Sequence, residues 1–304
     1  MTPAAPMLIA LVAAAVLLPL RIRQLAVNTD FTTGFFLQRD VGVYIFYGVA
    51  VAACLAVAVT AFLAGKLPGS TLAQVKNPVC GAASFLLAFG FGYEALQIFS
   101  DLREAAASVG LSIYNTSILN GSFREMLEMI FAAVCIPAFV VYGIACFAGK
   151  YDWMKFTAVL FLAAPLWGIC RVLGYFTYTI SYLVLAELFC EMYATIFLML
   201  FLFCYARRIT QTGAEGGTWT VLASGLLSAL FCILSSVPRL FTTLLGKGTV
   251  EGFAVKPVFV VGAVFAIVCV ITMVLRGAKE PDPAEAEAES DEDGDIPVQP
   301  FTVE

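Results

Sequence analysis

VYIFYGVAVAACLAVAVTAFL, Val43 to Leu63, is a run of 21 residues without a single charge. As a helix rising about 1.5 Å per residue it measures roughly 30 Å, the thickness of a bilayer's hydrocarbon layer. In hydrocarbon every backbone amide must find its partner within the protein, which leaves helices and closed barrels as the spanning structures. Barrel strands alternate apolar and polar residues over about ten positions, and this run does not alternate. It reads as a transmembrane helix.

Comparable apolar stretches occupy about Pro6–Leu20, Val79–Phe99, Met126–Phe147, Phe156–Leu173, Thr177–Tyr205, Thr218–Phe241 and Pro257–Leu275. The chain is therefore expected to be all-α, a polytopic membrane bundle of about eight transmembrane helices over residues 1–276, followed by a disordered acidic tail over 277–304. Composition agrees. Hydrophobic residues make up 61% of the chain and charged ones 13%, with a mean hydropathy of +0.92. An average soluble domain carries about a quarter charged residues. The first stretch is short and runs into Arg21 and Arg23; it has no basic segment before it, so it reads as a retained first helix rather than a signal peptide. Pro137, Pro165 and Pro238 fall where they can kink helices, and Gly48 with Ala52, Gly81, Gly90, and Gly225 with Ala229 are small residues suited to close helix packing.

From Gly277 onward there are ten acids and one base, which leaves 16 bases and 12 acids in the preceding body, an excess of four positive charges beneath an overall net charge of −5. The tail is too polar to bury a core. It is either a solvated terminus or a docking segment for a protein partner. Lys66, Lys150, Arg207, Arg208, Arg276 and Lys279 follow the even spans, which favours both termini on the inner side, although Arg21, Arg23, Arg103, Arg171 and Arg239 near the odd ends oppose it. A multi-pass location in the plasma membrane is expected. Arg103, Arg171 and Arg239 are spaced 68 residues apart, a hint of repeated helical hairpins that equal helix lengths would also produce. Leu96, Phe99, Leu102, Ala106 and Val109 suggest an amphipathic extension of the third helix.

There is no histidine, which excludes Ser-His catalysis, His-ligated zinc and metalloproteases of the H-E-x-x-H type. The nine cysteines all lie in apolar segments and form no C-x-x-C pair, so they read as small buried hydrophobes. No cofactor, metal or nucleic-acid partner is expected. No Walker A sequence is present.

The informative residues are the polar ones inside the spans. Glu187 and Glu191, in Ala186–Tyr193 (AELFCEMY), sit at i and i+4 on one helical face that Thr195 extends. If the sixth helix begins near Thr177, they lie about 15 and 21 Å deep, either side of the midplane. Ionised groups there cost about 3 kcal/mol or more in contact with lipid, so both should face the bundle interior. Two stacked carboxyls do not ionise together cheaply, so one is expected to hold a proton. Glu94, in Gly90–Glu94 (GFGYE), is a third candidate, and Arg171 reaches inward or to the interface. Arg103 and Arg239 are expected to be interface anchors. The structural alternative is a buried network in which the glutamates pair with Arg171, Arg239 or a tyrosine such as Tyr175, Tyr178 or Tyr182.

Binding of a small solute, proton or cation at Glu187, Glu191, Glu94, Thr195 and Arg171, in a bundle that moves it across the bilayer, is the function that location and chemistry favour. The competing readings are a non-catalytic subunit, sensor or assembly factor, and an intramembrane enzyme using carboxylates on a lipid. Enzyme chemistry is the less favoured class.

Overall fold

Apolar runs bounded by capping residues fold as the sequence leads one to expect. The computed structural model describes residues 4–30, 36, 41–64, 76–110, 112–115, 122–151, 158–177, 185–209, 218–246 and 255–277. Its long helices are α1 (Ala4–Asn28), α2 (Val41–Leu63), α3 (Pro78–Val109), α4 (Phe123–Ala148), α5 (Ala158–Phe161 continuing as Ala163–Thr177), α6 (Leu185–Ile209), α7 (Thr218–Leu244) and α8 (Pro257–Gly277). Among the described residues, eight helical stretches are long and apolar enough to cross a membrane. The acidic tail, Tyr178 and Tyr182 lie outside the described residues.

Local chemistry explains the ends. Asn77 caps α3, its side chain accepting from the Cys80 amide at 3.4 Å, and Pro78 occupies the first turn, where its missing N–H is not needed. Gly110 and Gly149 end α3 and α4 with φ of 71° and 70°, a left-handed turn that glycine adopts without a Cβ penalty. The break in α5 has a cause: Pro165 offers no N–H to Phe161 four residues back, and its ring crowds that carbonyl. The helix stops at Phe161 and restarts at Ala163.

Helices α3, α4, α5, α6, α7 and α8 pack in sequence, and α8 returns to α3, closing a ring; the α1–α2 hairpin docks on α7. Helix α7 thus packs against α1, α2, α6 and α8, and it is the most enclosed span. Many large apolar side chains face outward, among them Leu8, Leu11, Leu55, Phe62 and Phe89. In water such a surface would be a large sticky patch; against lipid it is the expected exterior.

Close packing uses glycine at three of the four places expected. A Cβ on Gly81 would lie 3.1 Å from the Gly143 carbonyl, so α3 and α4 approach backbone to backbone. On Gly90 it would sit 2.4 Å from Val261 Cγ2 on α8, and on Gly225 it would sit 2.6 Å from Val270 Cγ2. Gly48 differs: both it and Ala52 are exposed, and an added Cβ would meet nothing within 4 Å. That pair of small residues faces outward rather than onto a helix.

Two boundaries move. Helix α3 runs unbroken for 32 residues, longer than the hydrocarbon requires, so its last turns project beyond it. Along that extension Leu102 and Ala106 are buried, whereas Leu96, Phe99 and Val109 are exposed, so the expected apolar stripe is only partly used. Thr177 belongs to the end of α5, and α6 starts at Leu185 among the described residues. This places Glu187 in the first turn of α6 rather than at the midplane.

Candidate functional site

Near the C-terminal ends of the odd helices, three arginines, Arg21, Arg171 and Arg239, turn inward. Arg21 of α1 is 1% exposed; it donates to Gln24 Oε1 at 3.0 Å and to Glu187 Oε1. Gln24 Nε2 donates in turn to the Gly42 carbonyl at 3.1 Å, tying α1 to the start of α2. Arg239 of α7 donates from Nε and Nη2 to Glu187 Oε2, at 2.9 and 2.7 Å, and from Nη1 to Glu191 Oε1. One guanidinium therefore clamps both carboxylates of the i, i+4 pair. The remaining oxygen, Glu191 Oε2, accepts from Lys256 Nζ at 2.9 Å and from the Tyr175 hydroxyl at 3.1 Å.

Tyr175 carries the network into a second half. Arg171 Nε donates to the Tyr175 hydroxyl at 3.2 Å, and its Nη1 donates to Glu94 Oε1 and, at 3.3 Å, to Glu128 Oε1. Its guanidinium lies over the Trp167 and Phe259 rings, 5.5 and 5.4 Å from their centroids, where the aromatic faces favour a cation. Arg124 closes the chain, donating to Glu128 Oε2 at 2.8 Å, the Cys170 carbonyl at 3.3 Å and Glu125 at 3.1 Å. Five cations and five carboxylates thus run continuously from α1 to α4 at one end of the bundle.

Of the residues singled out from sequence, Glu187, Glu191, Glu94 and Arg171 come together here, all buried. Thr195 is adjacent: its hydroxyl donates to the Glu191 carbonyl at 2.9 Å and lies 3.4 Å from the Tyr175 hydroxyl. Two expectations are corrected. Arg239 is buried within the network, while Arg103 is exposed as an anchor should be. Each of the four oxygens of Glu187 and Glu191 has a cationic partner, so the electrostatic reason for a shared proton between them is gone.

Sequence reasoning passed over Arg21, Arg124, Glu128 and Lys256 as members of the site. Glu128 was legible, being a carboxylate inside the fourth apolar run. Lys256 was not, because it lies in a connection and reaches Glu191 only through the closure of the ring. The hydroxyls of α7 were also legible, with Ser224, Ser228, Ser235 and Arg239 at helical spacings on one face. All are buried, and Ser235 and Ser236, one turn inside Arg239, have side-chain oxygens without a hydrogen-bond partner among the described residues. Ser224 instead bonds back to the Thr220 carbonyl at 2.6 Å.

Beside the charged chain lies a polar cavity of about 220 Å³, walled by Glu94, Gln97 and Asp101 of α3, Arg124, Glu125 and Glu128 of α4, Arg171 and Tyr175 of α5, and Lys256. The bundle's other end holds a smaller one of about 40 Å³, where the Tyr142 and Tyr205 hydroxyls meet at 2.6 Å near Asn77, Cys80 and Arg208. Between the two ends the interior is aromatic. Phe91 stacks on Phe139 and meets Trp167 edge-on at 5.0 Å, and Phe265 bridges Phe139, Phe201 and Tyr205. Among the described residues no cluster of three or more His, Cys, Asp or Glu side chains is arranged to hold a metal ion.

Eight apolar helices around this buried charged layer define an integral, multi-pass helical membrane protein. Comparison with protein families, curated proteins and solved structures gives no match for this chain.

Proposed function

We propose that the chain moves a small polar solute or ion across the membrane, with the ion-pair layer as the gate at one end. The carrying observation is the continuous charged network that joins six helices and the segment entering α8 beside a polar cavity. A staple holding the helices together would be served as well by apolar side chains, since buried ion pairs gain little over well-packed hydrophobes of similar volume. Charges arranged so that Arg239, Arg171 and Arg124 each serve two carboxylates can instead exchange partners as helices shift. Glu187 and Glu191 with Arg239 form the gate; Glu94 and Arg171 face the cavity; Thr195 holds Tyr175 between them. The aromatic layer and the joined Tyr142 and Tyr205 hydroxyls block a straight passage, which supports alternating access rather than an open pore.

The same network supports a reading of orientation. Arg21, Arg171 and Arg239 are turned inward and neutralised, so the exposed bases at their end of the first and third helices are Arg23 and Arg103. The even ends keep Lys66, Lys150, Arg207, Arg208, Arg276 and Lys279, which supports an inner location for both termini in a plasma membrane.

Opening of the gate is tested by Ser235→Cys, one turn inside Arg239. In proteoliposomes, position 235 is expected to react with a small membrane-impermeant thiol reagent while Cys146, at the far end, stays protected, as read by mass spectrometry of the labelled peptides. A folded protein in which position 235 reacts only after denaturation would count against a moving gate.

A further inference from the structure

The cavity's electrostatics are not balanced. Its walls carry four carboxylates, Glu94, Asp101, Glu125 and Glu128, against Arg124, Arg171 and Lys256. Lys256 is engaged with Glu191, and the two arginines are shared among Glu94, Glu125 and Glu128. Asp101 makes no ion pair among the described residues. Glu94 is 5% exposed, one of its oxygens is held by Arg171, and the other, Oε2, is buried with no hydrogen-bond partner among the described residues. A buried carboxylate oxygen left unpaired is costly, and a donor arriving in the cavity would remove that penalty.

We infer that this cavity binds a small organic ammonium ion, its N–H groups donating to Glu94 Oε2 and its charge facing Asp101 about two helical turns further out. Glu94, Gln97 and Asp101 lie at spacings of three and four residues, so they share one face of α3 toward the opening. The Tyr175 ring at the inner wall already lies 5.9 Å from Lys256 Nζ, a surface suited to cations. At about 220 Å³ the space holds roughly seven waters of ~30 Å³ each, enough for a primary amine or diamine of a few carbons. An inorganic cation fits less well, because no cluster of three ligating side chains is formed among the described residues.

The inference names the solute class for the translocation proposed above and rests on that reading for its biological sense, but binding is measured without flux. The full-length protein in detergent is titrated calorimetrically with butane-1,4-diammonium, n-butylammonium, sodium and butyrate. The two amines are expected to bind saturably and butyrate not at all. Glu94→Gln is expected to weaken the amines about tenfold or more, and Asp101→Asn, on the exposed rim, several-fold. If Glu94→Gln does not fold, Asp101→Asn carries the comparison. No amine binding at millimolar concentration, amine binding that neither substitution alters, butyrate binding in preference, or sodium competing equally would each overturn it. Amine binding without any amine flux would retain the site and reject the translocation reading alone.

Discussion

Arg239→Met is expected to be the most destabilising single substitution in the charged layer, by about 3–5 kcal/mol. The guanidinium is buried and makes three charge-assisted hydrogen bonds to two carboxylates on α6. Methionine fills similar volume but leaves Glu187 Oε2 without a partner and Glu191 Oε1 without a cation. The penalty arises from stranded buried charges rather than from lost packing. In thermal unfolding of the detergent-solubilised protein, this corresponds to a midpoint lower by roughly 10 °C, at ~2–4 °C per kcal/mol. Adding Glu187→Gln should recover part of the loss, because it removes one of the stranded charges. Arg103→Met is the matched control: the residue is exposed, and its change should stay within about 0.5 kcal/mol. Equal midpoints for the two arginine variants would show that the Arg239 ion pairs contribute nothing.

Gly90→Val should be nearly as damaging, for a reason of shape. A Cβ at position 90 would sit 2.4 Å from Val261 Cγ2 and 3.4 Å from Val258 Cα. The first atom is the end of a short branched side chain and the second is backbone, so α3 and α8 must separate to admit the new group. Overpacking of this kind costs about 1–3 kcal/mol even where neighbours can adjust, and valine adds two methyls beyond the Cβ. The seam between α3 and α8 closes the six-helix ring, so its loosening should be seen in both the unfolding midpoint and the yield of folded protein. Val261→Ala in the same chain should restore part of the stability by removing the nearer clash. Val261→Ala failing to help would place the strain in the backbone contact with Val258 instead.

How much of this was open to a reader of the sequence differs by feature. The spans were legible because the physics of hydrocarbon is severe: an uncharged run such as Val43–Leu63 has few other fates. The pairing of Glu187 with Glu191 was legible from helical spacing, and their inward orientation from the penalty of facing lipid. Their depth was not, because the apolar run across Thr177–Leu185 does not show where α5 ends and α6 begins. Arg21, Arg171 and Arg239 stand where anchoring arginines also stand, and the choice between snorkelling and turning inward depends on which carboxylates other helices deliver. That delivery is tertiary: Glu94 meets Arg171 across 77 residues of chain, and Arg21 meets Glu187 across 166. Spacing along one helix cannot reveal it. Glu128 and the serines of α7 were visible polar interruptions of apolar runs, and weighing them equally with Glu187 would have found them.

The network also alters the chemistry expected of the carboxylate pair. Two isolated glutamates at one face would share a proton and act as a proton carrier. With Arg21, Arg239 and Lys256 on their four oxygens, the gate proposed above works by exchange of ionic partners instead, coupled to movement of α1, α7 and the segment entering α8. Glu191 touches Arg239, Lys256 and Tyr175, and in that proposal it is the residue that links the gate to the cavity.

The most direct measurement is uptake of labelled small cations, zwitterions and anions into liposomes containing the purified protein, run beside Glu191→Gln and Glu187→Gln with the unfolding midpoint of each preparation recorded. A translocating bundle gated by these ion pairs predicts saturable uptake of at least one solute above empty liposomes, falling about tenfold or more in folded Glu191→Gln, a loss of ~1.4 kcal/mol in barrier stabilisation. No uptake of any solute by folded wild-type protein, or uptake unchanged by either substitution, would contradict it.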